Sequence, residues 1–290
     1  MAEKTVFADA ALSSIRRQKK EKFVLCAKSP DLERNMDITM RTFFVLLAFV
    51  IFFIVTLPLY LVLLILQKKH RRLCSTIAQK TVAIGFRFIM FFTGTKTVVL
   101  GRENVPTDQP VLYVANHRSL LDTPIAYSTV PTLTGFVAKI EIKKVPFLSW
   151  WMRLVNCIFL DREDLRAGMQ MILTCIENIK EGYSMFISPE GTRSQTEELL
   201  PFKEGSLKPA VKTGCLVIPV AISGTDNLLE NHFPWIRKAA TVIEYGKPID
   251  PKALSKEECK SLGAYTRNVI TEMLKGHETY IKNNTNKRRN

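Results

Sequence analysis

The stretch Asn116-His117-Arg118-Ser119-Leu120-Leu121-Asp122 holds the residues best suited to chemistry, an imidazole and a carboxylate five positions apart. It directly follows an apolar run, Val111–Ala115, that reads as a buried strand. Histidine is the side chain whose ordinary pKa lies near neutrality, so a histidine at a strand end is positioned to act as a general base. A carboxylate bonded to its other ring nitrogen would fix the tautomer and stabilise the imidazolium formed during reaction. On an ideal helix, five residues leave two side chains roughly 140° apart, so His117 and Asp122 need a turn between them. Thr123-Pro124 favours that, because proline suits the first helical position and marks a helix starting there. The same residues also fit an N-cap at Asp122 or Thr123 beside a loop histidine, and spacing alone does not separate the two readings.

A second stretch carries complementary chemistry. Met185–Ser188 is strand-like and runs straight into Pro189-Glu190-Gly191-Thr192-Arg193-Ser194. A glycine turn after a strand offers backbone N–H groups, and Arg193 adds a fixed cation, a combination that suits phosphate. Glu190 is out of keeping with phosphate unless it pairs with Arg193 or orients it.

Taken together, Asn116–Asp122 matches an NHxxxxD block and Pro189–Ser194 a PEGTRS block, and in that combination the chain resembles the glycerolipid acyltransferases. Within that family it is similar to the 1-acylglycerol-3-phosphate acyltransferases. Two further blocks fall in the expected order. Lys139, Glu141 and Pro146, followed by Ile158-Phe159-Leu160-Asp161-Arg162, resemble the second block. Val217-Ile218-Pro219-Val220-Ala221, approached through Phe202-Lys203-Glu204-Gly205, resembles the fourth.

The resemblance covers roughly residues 97–250. It implies transfer of an acyl group from acyl-CoA or acyl carrier protein, as co-substrate, to a lysophospholipid acceptor. It implies no cofactor and no metal. His117 would take the proton of the acceptor hydroxyl while Asp122 holds His117. Glu190, Gly191, Thr192 and Arg193 would bind the acceptor's phosphate, with Arg162 and Lys139 as further candidates. Arg162 could instead pair with Asp161, Glu163 or Asp164, and Lys139 could belong to a solvated face with Lys143 and Lys144. Glycerol-3-phosphate or another lysophospholipid is the alternative acceptor. The sequence departs from the family pattern at Ser188, where an aromatic is usual, and at Ser149 and Asn156, where glycine is frequent. Phe147, Trp150, Trp151 and Met152 are expected in the core or facing lipid rather than lining an acyl tunnel.

Positioning these groups requires an α/β domain with a mixed, largely parallel sheet flanked by helices. Short runs rich in Val, Ile, Leu and Phe predict strands at Val98–Leu100, Val111–Ala115, Thr134–Ala138, Cys157–Leu160, Met185–Ser188, Leu216–Ile222 and Thr241–Tyr245. A helix pattern runs from about Asp164 to Lys180, with Gly182 as its stop. Ser255 and Glu258 form a capping-box pattern that starts a last helix, expected to run to about Tyr280. The expected organisation is an interfacial segment over 1–42, membrane-anchoring helices over 43–96, the acyltransferase domain over 97–282 and a basic tail over 283–290.

The anchor is the plainest feature of the N-terminal part. From Phe43 to Leu66 no residue is charged, and a bilayer core needs about 20 apolar residues. Pro58 is expected to kink this helix. Lys68, Lys69, Arg71 and Arg72 follow it at once, which by the positive-inside rule puts the catalytic domain on the cytoplasmic side. Val82 to Phe92 is too short to span and should lie in the interface or against the first segment. Ahead of the anchor, residues 1–42 carry a basic cluster at Arg16, Arg17, Lys19, Lys20 and Lys22, as a surface helix or a loose tail.

A net charge of +14 favours anionic partners, and with no nucleic-acid-binding motif present a phospholipid surface is the reading it supports. The six cysteines are scattered and form no CxxC pair, so buried reduced thiols are expected and the pattern offers no zinc site. No GxSxG elbow is present, which argues against a serine hydrolase. A non-catalytic membrane-surface protein would have no need of His117.

Overall fold

The computed structural model describes residues 30–194, 196 and 198–286; the side chains of 30–35 and 278–286 are not described. The basic cluster at 16–22 and the terminal 287–290 lie outside the described residues. Helix α1, Pro30–Leu66, begins well before the uncharged run, and Pro58 lies inside it without ending it. Residues Met36–Leu66 are long and apolar enough to cross a membrane by length and composition. Helix α2, Arg71–Thr93, folds back against α1, as expected for the second apolar stretch. The hairpin is tied at its open end, where Arg41 Nη1 donates to the Thr93 carbonyl at 3.1 Å. Arg87, the charge that interrupts the apolar stretch, reaches away to the Ser128 carbonyl at 2.8 Å.

Seven strands form one sheet in the order β1-β7-β6-β2-β5-β3-β4: β1 Lys96–Leu100, β2 Leu112–Ala115, β3 Thr134–Lys139, β4 Ile158–Leu160, β5 Ser184–Ile187, β6 Val217–Ser223 and β7 Ala240–Tyr245. All seven fall where the apolar runs predicted them. Every pairing is parallel except β6 with β7, so β6, β2, β5, β3 and β4 point one way and β1 with β7 the other. The central strands are buried on both faces, which is why they read as continuous apolar runs without alternation.

Each face is covered by helices. On one side the α1–α2 hairpin packs with α3, Asp122–Thr129, and α4, Leu148–Leu154. Here Trp150 stacks on Tyr60, Trp151 meets Phe52 and Tyr60, and Phe147 meets Phe53. These aromatics therefore dock α1 onto the domain, and Trp150 and Trp151 take no part in the cleft described below. Asn156, beyond α4, adopts φ +57, the left-handed region in which glycine is unstrained.

On the other side lie α5, Leu165–Lys180, α6, Lys208–Thr213, and α8, Leu262–Asn286. Asp164 caps α5 through Arg166 N, and Gly182 at φ +88 follows its end. The capping box at Ser255 and Glu258 is present, yet it starts only the short helix α7, Lys256–Lys260. The single last helix expected from the sequence is thus two. Glu204 accepts from the N–H groups of Gly263 and Ala264, satisfying the first turn of α8 and anchoring a second helix start there.

Candidate active site

The five parallel strands end at one edge of the sheet, the position where open α/β sheets bind ligands. His117 follows β2, Ser188 follows β5, Arg162 follows β4 and Thr225 follows β6. The turn after β2 folds so that Asp122 comes back to His117, with Asp122 Oδ2 2.9 Å from His117 Nδ1. The same oxygen accepts from the backbone N–H of Arg118 and of Ser119, each at 2.8 Å. Thr225 donates to Oδ1 at 2.6 Å. Asp122 is 4% exposed, so this burial is tolerable only because each oxygen is hydrogen-bonded. An oxygen that accepts from two amides has no proton to give, so His117 Nδ1 carries the hydrogen, which in the neutral ring puts the lone pair on Nε2.

The backbone of His117 is held from both sides by the glycine turn after β5. Its N–H donates to Glu190 Oε1 at 2.7 Å, and its carbonyl accepts from Ser194 N at 2.9 Å. Glu190 Oε2 accepts from Leu200 N at 3.0 Å. Glu190 is buried, and burial raises its carboxyl above the ordinary value even though two N–H groups favour the ionised form. Both oxygens are thus bonded to the backbone: Glu190 fixes the two turns to each other and does not meet Arg193. Asn116 performs a similar service for β2, exchanging two 2.8 Å hydrogen bonds with the backbone of Ile222 on β6.

A cleft of about 320 Å³ opens beside His117. Its polar lining includes His117, Asp161, Arg162, Asp164 and Lys203, and its apolar lining Phe136, Leu160, Leu165, Met169, Ile172 and Phe186. Ser188 lines the cleft as well. Arg162 donates through Nη1 to the Gly191 carbonyl, and it pairs with none of Asp161, Glu163 and Asp164. Its guanidinium is lowered from the ordinary value, first by burial; Glu141 opposes this and Arg193 adds to it. Gly191 sits at φ +74, and a Cβ there would lie 3.1 Å from Lys203 Nζ, so the glycine lets the turn pass close to that cation.

Four expected ligands of a phosphate stand outside the cleft lining: Glu190, bonded to backbone as described, and Thr192, Arg193 and Lys139. Arg193 pairs with Glu230 Oε1 at 3.1 Å on the outer side of the turn. Thr192 is exposed and does not line the cleft. Lys139 pairs with Glu141 at 2.7 Å, with both side chains more than half exposed. Sequence reasoning passed over Asn116's bridging role, Lys203 and the loop after β6. In that loop Thr225 holds Asp122, Asp226 lies 3.5 Å from Arg118, and Glu230 accepts from Leu120 N at 2.8 Å. The run Gly224-Thr225-Asp226-Asn227, polar and directly after a buried strand, was the available signal.

Among the described residues no cysteine lines the cleft. Burial raises Cys157 and Cys175 to about 12, well out of the thiolate range. Among the described residues, no group of three or more His, Cys, Asp or Glu is arranged to hold a metal ion.

Residues 96–223 match a family model described as Acyltransferase. A 1-acyl-sn-glycerol-3-phosphate acyltransferase of Saccharomyces cerevisiae is 31% identical over 215 residues, covering 72% of this chain and 71% of the yeast protein. The enzyme of the same name from Escherichia coli is 28% identical over 174 residues, covering 58% of this chain and 70% of its own length. The crystal structure of the 1-acyl-sn-glycerophosphate acyltransferase PlsC from Thermotoga maritima superposes with a TM-score of 0.71 at 30% identity. It covers 84% of this chain and 98% of the bacterial one.

The burial of Glu190 gives a stability test. A carboxyl raised above its unfolded value contributes stability at low pH that is lost as pH climbs through the folded value. Glu190→Gln does not titrate and gives up one backbone hydrogen bond. Its stability deficit relative to wild type should therefore shrink between about pH 4 and about pH 7 in urea unfolding. A deficit that grows over this range would show the carboxyl to be lowered instead.

Proposed function

The chain belongs to the acyltransferase family, and from that premise we propose that it esterifies the sn-2 hydroxyl of 1-acyl-sn-glycerol-3-phosphate with a fatty acyl group, forming phosphatidic acid. The donor is a thioester, acyl-CoA or acyl carrier protein, and no further cofactor takes part. The observation that carries this reading is the 2.9 Å contact between His117 Nδ1 and Asp122, which leaves Nε2 free at the mouth of a cleft. That cleft presents Arg162 and Lys203, beside the carboxylates Asp161 and Asp164, together with apolar side chains, and the acceptor is an anion joined to a hydrocarbon chain.

In this reading His117 Nε2 removes the hydroxyl proton as the oxygen attacks the thioester carbonyl. A C–O bond forms, the C–S bond breaks, and the proton passes from the imidazolium to the departing thiolate. Asp122 keeps the ring in the productive tautomer throughout and balances its transient charge. Arg162 and Lys203, the cations that line the cleft, bind the phosphate. Arg193, at the outer side of the turn, acts through its link to Glu230 and the 118–121 backbone. The names of the yeast, E. coli and T. maritima relatives support the choice of acceptor. α1 associates the chain with the membrane that supplies this amphipathic substrate, and the basic residues just after it support a cytoplasmic catalytic domain.

His117→Ala should lower kcat by about 10²–10⁴-fold, while binding to lipid vesicles stays as in wild type. Turnover near the wild-type rate would remove the imidazole from the mechanism. Arg162→Ala should raise the acceptor KM by about 10–100-fold, as for loss of a charge-assisted hydrogen bond, and leave the donor KM within a few-fold. A donor-only effect would reassign Arg162 to the thioester carrier.

A further inference from the structure

A second cavity, of about 210 Å³, lies where the α1–α2 turn meets the domain. Gln67, Arg71, Ser75, Arg153 and Asn156 line it. It stands at the opposite edge of the sheet from His117. Asn156 comes just before β4, and Glu181, which borders the cavity through Arg71, comes just before β5, so both mark strand beginnings rather than strand ends. Nothing in the acyl-transfer chemistry above uses these residues.

The lining is built and cationic. Arg71 pairs with Glu181 at 2.7 Å and donates to Asn156 Oδ1 at 3.1 Å. Asn156 Nδ2 in turn donates to the buried Ser75 hydroxyl at 3.3 Å. These contacts fix one guanidinium against the wall. Arg153, on α4, has no carboxylate partner among the described residues. Two guanidinia thus stand with one carboxylate, and Lys68, Lys69 and Arg72 add positive charge next to Arg71 in the sequence. Beside this polar recess the surface is apolar: Ile65 is 76% exposed, Leu66 42% and Leu73 57%. α1, the apolar helix, ends at this point.

A recess with two planar cations, an amide and a hydroxyl, bordered by exposed aliphatic side chains, matches an anionic headgroup attached to hydrocarbon. Guanidinium forks bind phosphate oxygens in pairs, and amide and hydroxyl groups suit the glycerol oxygens. We propose that this cavity binds the phosphate of an anionic glycerophospholipid from the surrounding membrane, at a site separate from the catalytic cleft. The bound lipid would fix the end of α1 and α4 against the bilayer surface and so set the orientation of the domain upon it.

The test compares the purified full chain on phosphatidylcholine vesicles with and without about 30% phosphatidylglycerol, at low salt and at about 0.5 M salt, where exposed charges are screened. Wild type should prefer the anionic vesicles at both salt concentrations. Arg153→Gln should lose that preference by about fivefold or more at high salt. Lys68→Gln/Lys69→Gln, which removes charge outside the cavity, should lose affinity only at low salt. Arg153 has no carboxylate partner to forfeit among the described residues, so its variant should fold as wild type; Arg71→Gln serves as a second probe of the wall.

Equal losses for the lysine and arginine variants at both salt concentrations would reduce the site to diffuse surface charge and overturn the proposal. A parallel arm measures thermal stability in detergent with inorganic phosphate. Stabilisation that Arg153→Gln abolishes, without any vesicle preference, would make the ligand a free anion and overturn the lipid assignment.

Discussion

One buried carboxylate organises the catalytic edge. Asp122 Oδ2 accepts from the His117 ring and from two consecutive backbone amides, while Oδ1 is bound by Thr225. A buried carboxylate without these donors would be strongly disfavoured, so the turn from 117 to 122 is closed by the group it must satisfy. The consequence for chemistry is direct: the imidazole is fixed in orientation and tautomer before substrate arrives. That pre-organisation is what lets a weak base contribute to catalysis.

The surrounding architecture serves the same end. Glu190 and Ser194 clamp the His117 backbone, Asn116 ties β2 to β6, and the loop after β6 returns Thr225 and Glu230 to the turn. Three strand ends therefore converge on one turn, residues 116–122. The two cores on either face of the sheet keep those ends in register, and the aromatic contacts of Tyr60, Phe52 and Phe53 with α4 attach the apolar hairpin to one of them. The substrate cleft and the basic recess lie at opposite edges of the sheet.

The fold was largely legible because its strands are buried on both faces and announce themselves as apolar runs such as Leu112–Ala115 and Val217–Ile222. The pairing of His117 with Asp122 was legible too, through two motifs whose combination is more specific than either alone. What escaped was long-range. Nothing near Glu190 reveals that its oxygens meet the amides of 117 and 200, and nothing near Arg193 announces Glu230. The break between α7 and α8 depends on Glu204, a residue more than fifty positions away that satisfies the first N–H groups of α8. The early start of α1 escaped because charged residues such as Asp37 and Arg41 marked the limit of the apolar run, although they pair with each other at helical spacing within α1.

The central claim is that Asp122 holds the His117 imidazole with its proton on Nδ1 and its lone pair on Nε2. Nitrogen-15 NMR of histidine-labelled protein reads that tautomer directly, with the His117 signal identified by its loss in His117→Gln. The account predicts the Nδ1–H tautomer in the free enzyme at pH about 8 and its loss or averaging in Asp122→Asn. A His117 ring that is Nε2–H, or that exchanges freely between tautomers in the wild-type protein, would contradict it.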